Sequence, residues 1–420
     1  MPLTRWLRSS AALYALPLMG VYLMFPLTGE LPNLDDNWPG ATVLATAATV
    51  MAVTPVCAAV AAWEGTRLRQ GGVFRATGVR SPITVLAWSA APVAGAAVLG
   101  MVTAFAVVTA EMPGVPGGPD LLILATALLV MAAWTMAGMA AGRYLPPAVG
   151  IPLLLVGTWL WFAYPSALEP LWLRHLTGMN LAACCATGEV FDRRALAAQS
   201  LLAVSIAVAA YLGWASARRS ATRTGAIVLV PALGLGLAAF TVRDLGPEAG
   251  RPRAGGLVCT VRQGIEVCVW RERRSRLAAT AAIVAPAAKR ISVAGGVAMP
   301  RRITEGAADG AGTWNVVAGR DSTSDDIVFS LVTGLLPAGP PRCAGTGSPA
   351  WDIAYVPVTV WLAERAGVSK NVLATKAGPE AVAVVKGVLA LPQAQQRRWF
   401  RHNLAALRRC DLSPVGIPAS

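Results

Sequence analysis

The residues best placed to do chemistry are two cysteines in the stretch CTVRQGIEVC, Cys259 and Cys268. They can form a disulfide, supply half of a metal site, or stand as free thiols, and the choice turns on which side of a membrane they occupy. Zinc needs four ligands, usually at short spacing. Beyond residue 242 the other cysteines are Cys343 and Cys410 and the one histidine is His402, all far along the chain, so no metal centre is expected. The chain has no H-E-x-x-H, no G-x-S-x-G and no G-x-x-x-x-G-K-[ST] phosphate loop, and no histidine clustered with carboxylates. The run DSTSDD, with Asp321, Asp325 and Asp326, lacks the glycine and glutamate that a calcium loop requires and reads as a solvated turn. No catalytic, cofactor-binding or metal-ligating residue is expected, and the chain reads as no enzyme.

Composition sets the scene for these residues. The chain has 420 residues, 55% hydrophobic and only 14% charged, with mean hydropathy +0.54, outside the balance of a soluble globular protein. Its net charge of +14 reads as cytoplasmic anchors of membrane helices and not as a nucleic-acid surface. Residues 1–242 alternate long uncharged runs with short connections, whereas 243–420 intersperse charges, Gly and Pro and offer no run expected to cross a bilayer. The expected fold is therefore an α-helical polytopic membrane domain followed by a small α+β soluble domain. Seven spans are expected, at 10–27, 41–63, 83–110, 121–141, 148–164, 201–217 and 225–242, none containing Asp, Glu, Lys, Arg or His.

Basic residues in short loops are retained in the cytoplasm. Arg5 and Arg8, then Arg67, Arg69, Arg75 and Arg80, then Arg143, then Arg218, Arg219 and Arg223 all fall on one side of the seven spans. The N-terminus is thus expected inside a bacterial plasma membrane, and an odd number of spans carries 243–420 outside. The first span lacks a small-x-small cleavage pattern, so it is expected to be retained. In that oxidising compartment the segment LVCTVRQGIEVCVW reads as a hairpin turning at Gln263-Gly264. Cys259 then faces Cys268 as a non-hydrogen-bonded pair with Cα atoms about 4.5 Å apart, inside the disulfide window of about 4.4 to 6.8 Å. By elimination Cys343 pairs with Cys410. Cys57 is a packing residue, and Cys184 and Cys185 have no expected partner.

In the soluble part, helices are expected at 276–290, 351–366 and 379–391, with strands at the hairpin and around 291–297. In LPQAQQRRWFRHNLAALRRC, Trp399, Phe400, Leu404, Leu407 and Cys410 form one helical stripe facing a core.

The connection AAWEGTRLRQGGVFRATGVRSPITVLAWSAAP, residues 61–92, resembles the first cytoplasmic loop of type-2 ABC exporter permeases, particularly actinobacterial ones. The resemblance implies a coupling helix that docks on a separate cytoplasmic ATPase, with Glu64, Arg67, Arg69, Arg75 and Arg80 as contact residues. The connection over 165–200 is similar to the re-entrant external helices of those permeases, and six spans over 10–217 match their core. The chain departs from the family in its short N-terminal lead and in the added seventh span and outer domain. An ABC-exporter membrane subunit, dimeric with itself or a related chain, is the leading expectation. The alternative is a non-transporting sensor, scaffold or immunity protein presenting an external binding domain. Gly138 and Gly142, at GxxxG spacing, permit close helix packing.

Overall fold

Seven apolar stretches become seven helices. The computed structural model describes residues 10–34, 36–74, 81–177, 184–215, 220–246, 248–306, 312–337, 339, 349–409 and 413–414, in two units, Met1–Arg251 and Pro252–Ser420. The first unit holds α1 (Ala12–Glu30), α2 (Trp38–Gln70), α3 (Pro82–Ala110), α4 (Leu121–Tyr144), α5 (Pro147–Ala163), α6 (Arg193–Ala215) and α7 (Ala221–Val242). Polar side chains start four of them: Asn37 accepts from Gly40 N at 2.6 Å, Ser81 from Thr84 N at 3.3 Å, Asp120 from Leu122 N at 2.9 Å and Ser220 from Arg223 N at 3.3 Å. All seven are long and apolar enough to cross a bilayer. By its helix composition the chain is a multi-pass membrane protein.

Helix α2 is central to this unit, buried over 94% of its most apolar window, while α7 is buried over only 17% and shows Val228, Leu229, Leu233, Leu237 and Phe240 to its surroundings. The Gly138 and Gly142 pair on α4 lies directly on the backbone of Ala58 and Ala62 on α2, where a Cβ would collide with their carbonyl oxygens. Small residues on both sides let the two backbones approach, so GxxxG serves packing within one chain. The connection after α5 is folded as short helical turns, Tyr164–Ala167, Leu171–Leu173 and Arg174–Thr177. Strand β1 (Glu189–Phe191) pairs with β2 (Gly250–Pro252).

The second unit is α+β. Its sheet runs β3 (Leu257–Arg262), β4 (Ile265–Trp270), β5 (Arg302–Thr304) and β6 (Thr313–Asn315) in that order, antiparallel first and then parallel. Helices α8 (Leu277–Gly295), α9 (Ser324–Leu335), α10 (Pro349–Ala366), α11 (Lys370–Ala377), α12 (Pro379–Leu389) and α13 (Gln393–Ala406) complete it. One core joins Val267 and Ile303 from the sheet to Val284, Ile291, Leu331, Trp361 and Phe400 from the helices. The stripe is buried as its spacing predicts, through Trp399, Phe400, Leu404 and Leu407; its last member, Cys410, lies outside the described residues.

Three expectations are corrected here. The strand expected around 291–297 is helical, because Ile291, Ser292 and Ala294 prolong the buried face of α8 until Gly296 takes a left-handed φ of 63° and stops it. The stretch Arg271–Gly295 does reach membrane length and hydropathy, counter to the expectation that nothing beyond 242 would; in the second unit its Ala281, Val284, Ala288 and Ile291 face the α+β core. The Asp325-Asp326 stretch is not a solvated turn: Thr323 and Asp326 form a reciprocal capping box that starts α9.

Candidate functional site

Of the basic residues singled out from the sequence, Arg67, Arg69 and Arg143 gather at one end of the helical unit. Helix α2 runs on through Gln70, so Glu64, Arg67 and Arg69 stand on its last turns and not in a connection. At 1.5 Å per residue Glu64 is about 39 Å along the axis from Trp38, a length greater than the roughly 30 Å thickness of bilayer hydrocarbon. Its side chain is only 3% exposed: one oxygen accepts from Ala11 N at 3.0 Å and the other meets the Arg67 guanidinium at 2.9 Å. Glu64 therefore ties the start of α1 to the end of α2. Arg67, whose side chain is 48% exposed, is the member of the pair offered outward.

Helix α4 ends at the same place. Thr66 Oγ1 donates to Gly142 O at 3.1 Å and Arg69 to Arg143 O at 3.4 Å, while Arg143 donates to Trp214 O. The Arg143 guanidinium lies 4.3 Å over the Phe74 ring, and Phe74 meets Trp214 edge-on at 4.9 Å. Trp214 Nε1 donates to Pro82 O at 2.9 Å, and Tyr144 OH to Gly213 O at 2.6 Å. The starts of α1 and α3 and the ends of α2, α4 and α6 thus form one braced basic face. Arg75 and Arg80 lie outside the described residues, as do Arg5, Arg8, Arg218 and Arg219.

The opposite end has different chemistry. Asn37 Nδ2 donates to Cys185 O at 3.1 Å, Trp38 Nε1 to Val115 O at 3.2 Å, and Thr42 Oγ1 accepts from Asp120 N at 3.0 Å. Cys184 and Cys185, for which the sequence pointed to no partner, are bonded to each other. Buried His175 meets Gly246 O at 2.7 Å, and burial lowers its pKa below the usual imidazole value. Asp192 caps the first turn of α6 through Arg194 N at 2.8 Å and pairs with Arg194 and Arg251. Burial pushes its pKa upward, but the Arg194 amide and guanidinium and the Arg251 charge together hold it below the ordinary carboxylate value. Since Gly246 and Arg251 belong here, the chain leaves α7 at the end opposite the basic face.

In the second unit the hairpin has the expected register. Cys259 faces Cys268 with Cα atoms 4.1 Å apart, and the two are disulfide-bonded. Gln263 and Gly264 both take positive φ, 53° and 76°, which matches a two-residue turn to the twist of its strands. Cys259 is exposed and Cys268 buried. Arg302 lies against both sulfurs, donating to Cys268 Sγ at 3.2 Å and to Cys259 Sγ at 3.6 Å, and meets Glu266 at 3.3 Å. The Glu266 carboxylate and both sulfurs fall within 4.8 Å of one another, but thiolate is the metal-ligating form of cysteine and these sulfurs are bonded. Cys343 and Cys410 lie outside the described residues, and Cys57 is a buried free thiol.

Residues 267–410 match DUF7224, a domain of unknown function. No curated protein and no solved structure matches the chain. The DUF7224 region begins within β4 and takes in α8 to α13. It contains a charge pair deep in the fold: Arg273 meets Glu305 at 2.9 Å, with side chains 4% and 2% exposed. Glu305 also accepts from Trp270 N at 2.9 Å and Ala318 N at 3.1 Å, so its charge is matched on several sides and joins β4 to the segment after β6. Nothing in the sequence pattern distinguished these two residues from surface charges; only their positions just beyond short strands place them together.

Proposed function

We propose that the chain is the membrane subunit of an ABC-type exporter, powered by a separate cytoplasmic ATPase that docks on the basic face. The observation that carries this reading is the braced end of α2 and α4, where Arg67 is half-exposed beside its partner Glu64. Carriers driven by ions generally bind them at ionisable groups or broken helices within the membrane. In the seven helices the Asp, Glu, Lys and Arg side chains stand at the ends, Glu30, Glu64, Arg67, Arg69, Arg143, Arg193, Arg194 and Arg223, which favours an energy source outside the chain. A dimer, of two copies or with a related chain, completes the pathway. The cytoplasmic face is the basic one under the positive-inside rule, and the DUF7224 region lies across the membrane from it.

One observation favours the alternative of a non-transporting sensor, scaffold or immunity protein. Glu64, an expected contact residue, is buried and satisfied inside the chain, so it positions α1 and α2 and offers nothing to a partner. Affinity purification of the tagged full chain from its native membrane separates the two readings. Export predicts that an ABC ATPase co-purifies and that Arg67→Glu weakens its recovery. Recovery of no ATPase with either chain would remove the exporter reading and leave the presenting protein.

A further inference from the structure

A groove of about 930 Å³ crosses the second unit between the hairpin turn, α8 and the facing ends of α10 and α13. Among the described residues its charged lining is entirely cationic: Lys289 and Arg290 from α8 and Arg365 from α10, with Gln263 and Gln393 at its edges. Among the described residues none of these three cations forms an ion pair. Two of them are held in place. Arg290 Nε donates to Ala366 O at 2.6 Å, which leaves its remaining N–H groups unused by that bond. Arg365 donates to Gln396 Oε1 at 2.6 Å, and Gln396 is itself fixed by Trp361 Nε1 at 3.0 Å and by the Leu389 and Leu391 carbonyls. Preorganised donors lose little freedom on binding an anion.

A second observation points to a ligand independently of charge. Ser292 lines the same groove, is 9% exposed, and its hydroxyl has no hydrogen-bond partner among the described residues. Buried hydroxyls are ordinarily paired, and an orphan one in the wall of a groove leaves a hydrogen bond still to be made. Beside the cations the groove carries apolar surface, with Val293 57% and Met299 43% exposed. A bare anion would leave that surface wet; an anion attached to an apolar body would cover it. The volume is within the range of about 300–1,000 Å³ that holds small-molecule ligands.

We propose that this groove binds an anionic amphiphile, its phosphate or carboxylate head on Lys289, Arg290, Arg365 and Ser292 and its apolar body along Val293 and Met299. The proposal holds whether or not an ATPase partner exists. The test uses the full chain in nanodiscs of zwitterionic lipid, titrated calorimetrically with dihexanoyl phosphatidate, with inorganic phosphate, and with dihexanoyl phosphatidylcholine. Phosphatidate is expected to bind at least about tenfold tighter than either of the others, since each lacks one half of the match. Lys289→Glu combined with Arg365→Glu is expected to cost at least about tenfold, and Ser292→Ala roughly two- to tenfold. Lys370→Glu, a surface charge outside the groove, is expected to change nothing. Circular dichroism and gel filtration check that each variant is folded. Equal binding of phosphatidylcholine, equal losses in Lys370→Glu, or no binding of phosphatidate would overturn the proposal. Repeating the titration with phosphatidylglycerol in the nanodisc identifies the source: competition assigns the site to bilayer lipid, and an unchanged titration assigns it to a dissolved amphiphile.

Discussion

At the scale of single residues, the hairpin and the α9 cap give the sharpest consequences. The Cys259–Cys268 bond closes a loop across a sequence separation of 9, and loss of loop entropy from the unfolded chain accounts for about 2–3 kcal/mol. Cys259→Ser with Cys268→Ser is expected to destabilise the second unit by that amount in urea denaturation followed by tryptophan fluorescence. In a chain carrying Cys343→Ser and Cys410→Ser, reductant should reproduce this loss, and it should leave the same chain with Cys259→Ser and Cys268→Ser added largely unaffected. Asp326 makes a pH-dependent contribution. The Lys376 ammonium at 2.8 Å, then the Thr323 hydroxyl and amide, hold its carboxyl down at about 2 from an ordinary 3.8. Because the folded value is the lower one, the stabilisation is complete above 3.8 and is lost as pH falls from there through about 2. Discounted for its partial exposure it is worth roughly 1–2 kcal/mol. Asp326→Asn should lose that much at pH 7 and flatten the stability curve between pH 4 and 2; an unchanged acid limb would contradict the assignment.

At the scale of elements, tight contact between α2 and α4 is the feature most sensitive to change. A side chain at Gly142 would meet the Ala62 backbone, which cannot move without parting the helices. Gly142→Leu is expected to destabilise the helical unit by about 1–3 kcal/mol or more, read as a lower melting temperature in detergent, whereas Gly157→Leu, at a glycine with open space around it, should be tolerated. The positions of these helices were legible because 20-residue apolar runs have few other uses. Their ends were not: α2 continues past Trp63 to Gln70, since Glu64 and Arg67 pair at helical spacing and Glu64 also binds Ala11 N, none of which hydropathy records. In the second unit the hairpin and the Trp399–Phe400 stripe were legible from period and turn chemistry. Helix α9 was missed although Thr323-x-x-Asp326 before an apolar run is a capping signature. Strands β5 and β6 have three residues each and make sense only in the sheet, β5 beside β4 and β6 beside β5.

At the scale of the whole molecule, the two ends of the helical unit carry different side chains. Arg67, Arg69, Arg143 and Phe74 mark one end, while Asn37, Asp120, His175, Asp192 with its partners Arg194 and Arg251, and the residues leaving α7 mark the other. The basic groove was not legible beforehand, because Lys289 and Arg365 are far apart in sequence and converge only when α8 packs on α10. The exporter reading, the docking face and the oxidised hairpin all require that residues 243–420 lie across the membrane from Arg67. Labelling of intact spheroplasts with a membrane-impermeant maleimide, with and without an impermeant reductant, measures this directly. In a chain already carrying Cys343→Ser and Cys410→Ser, the expected result is labelling of the second unit that requires reduction and is lost when Cys259→Ser and Cys268→Ser are added. Labelling of those cysteines without reduction, or only after the membrane is permeabilised, would contradict it.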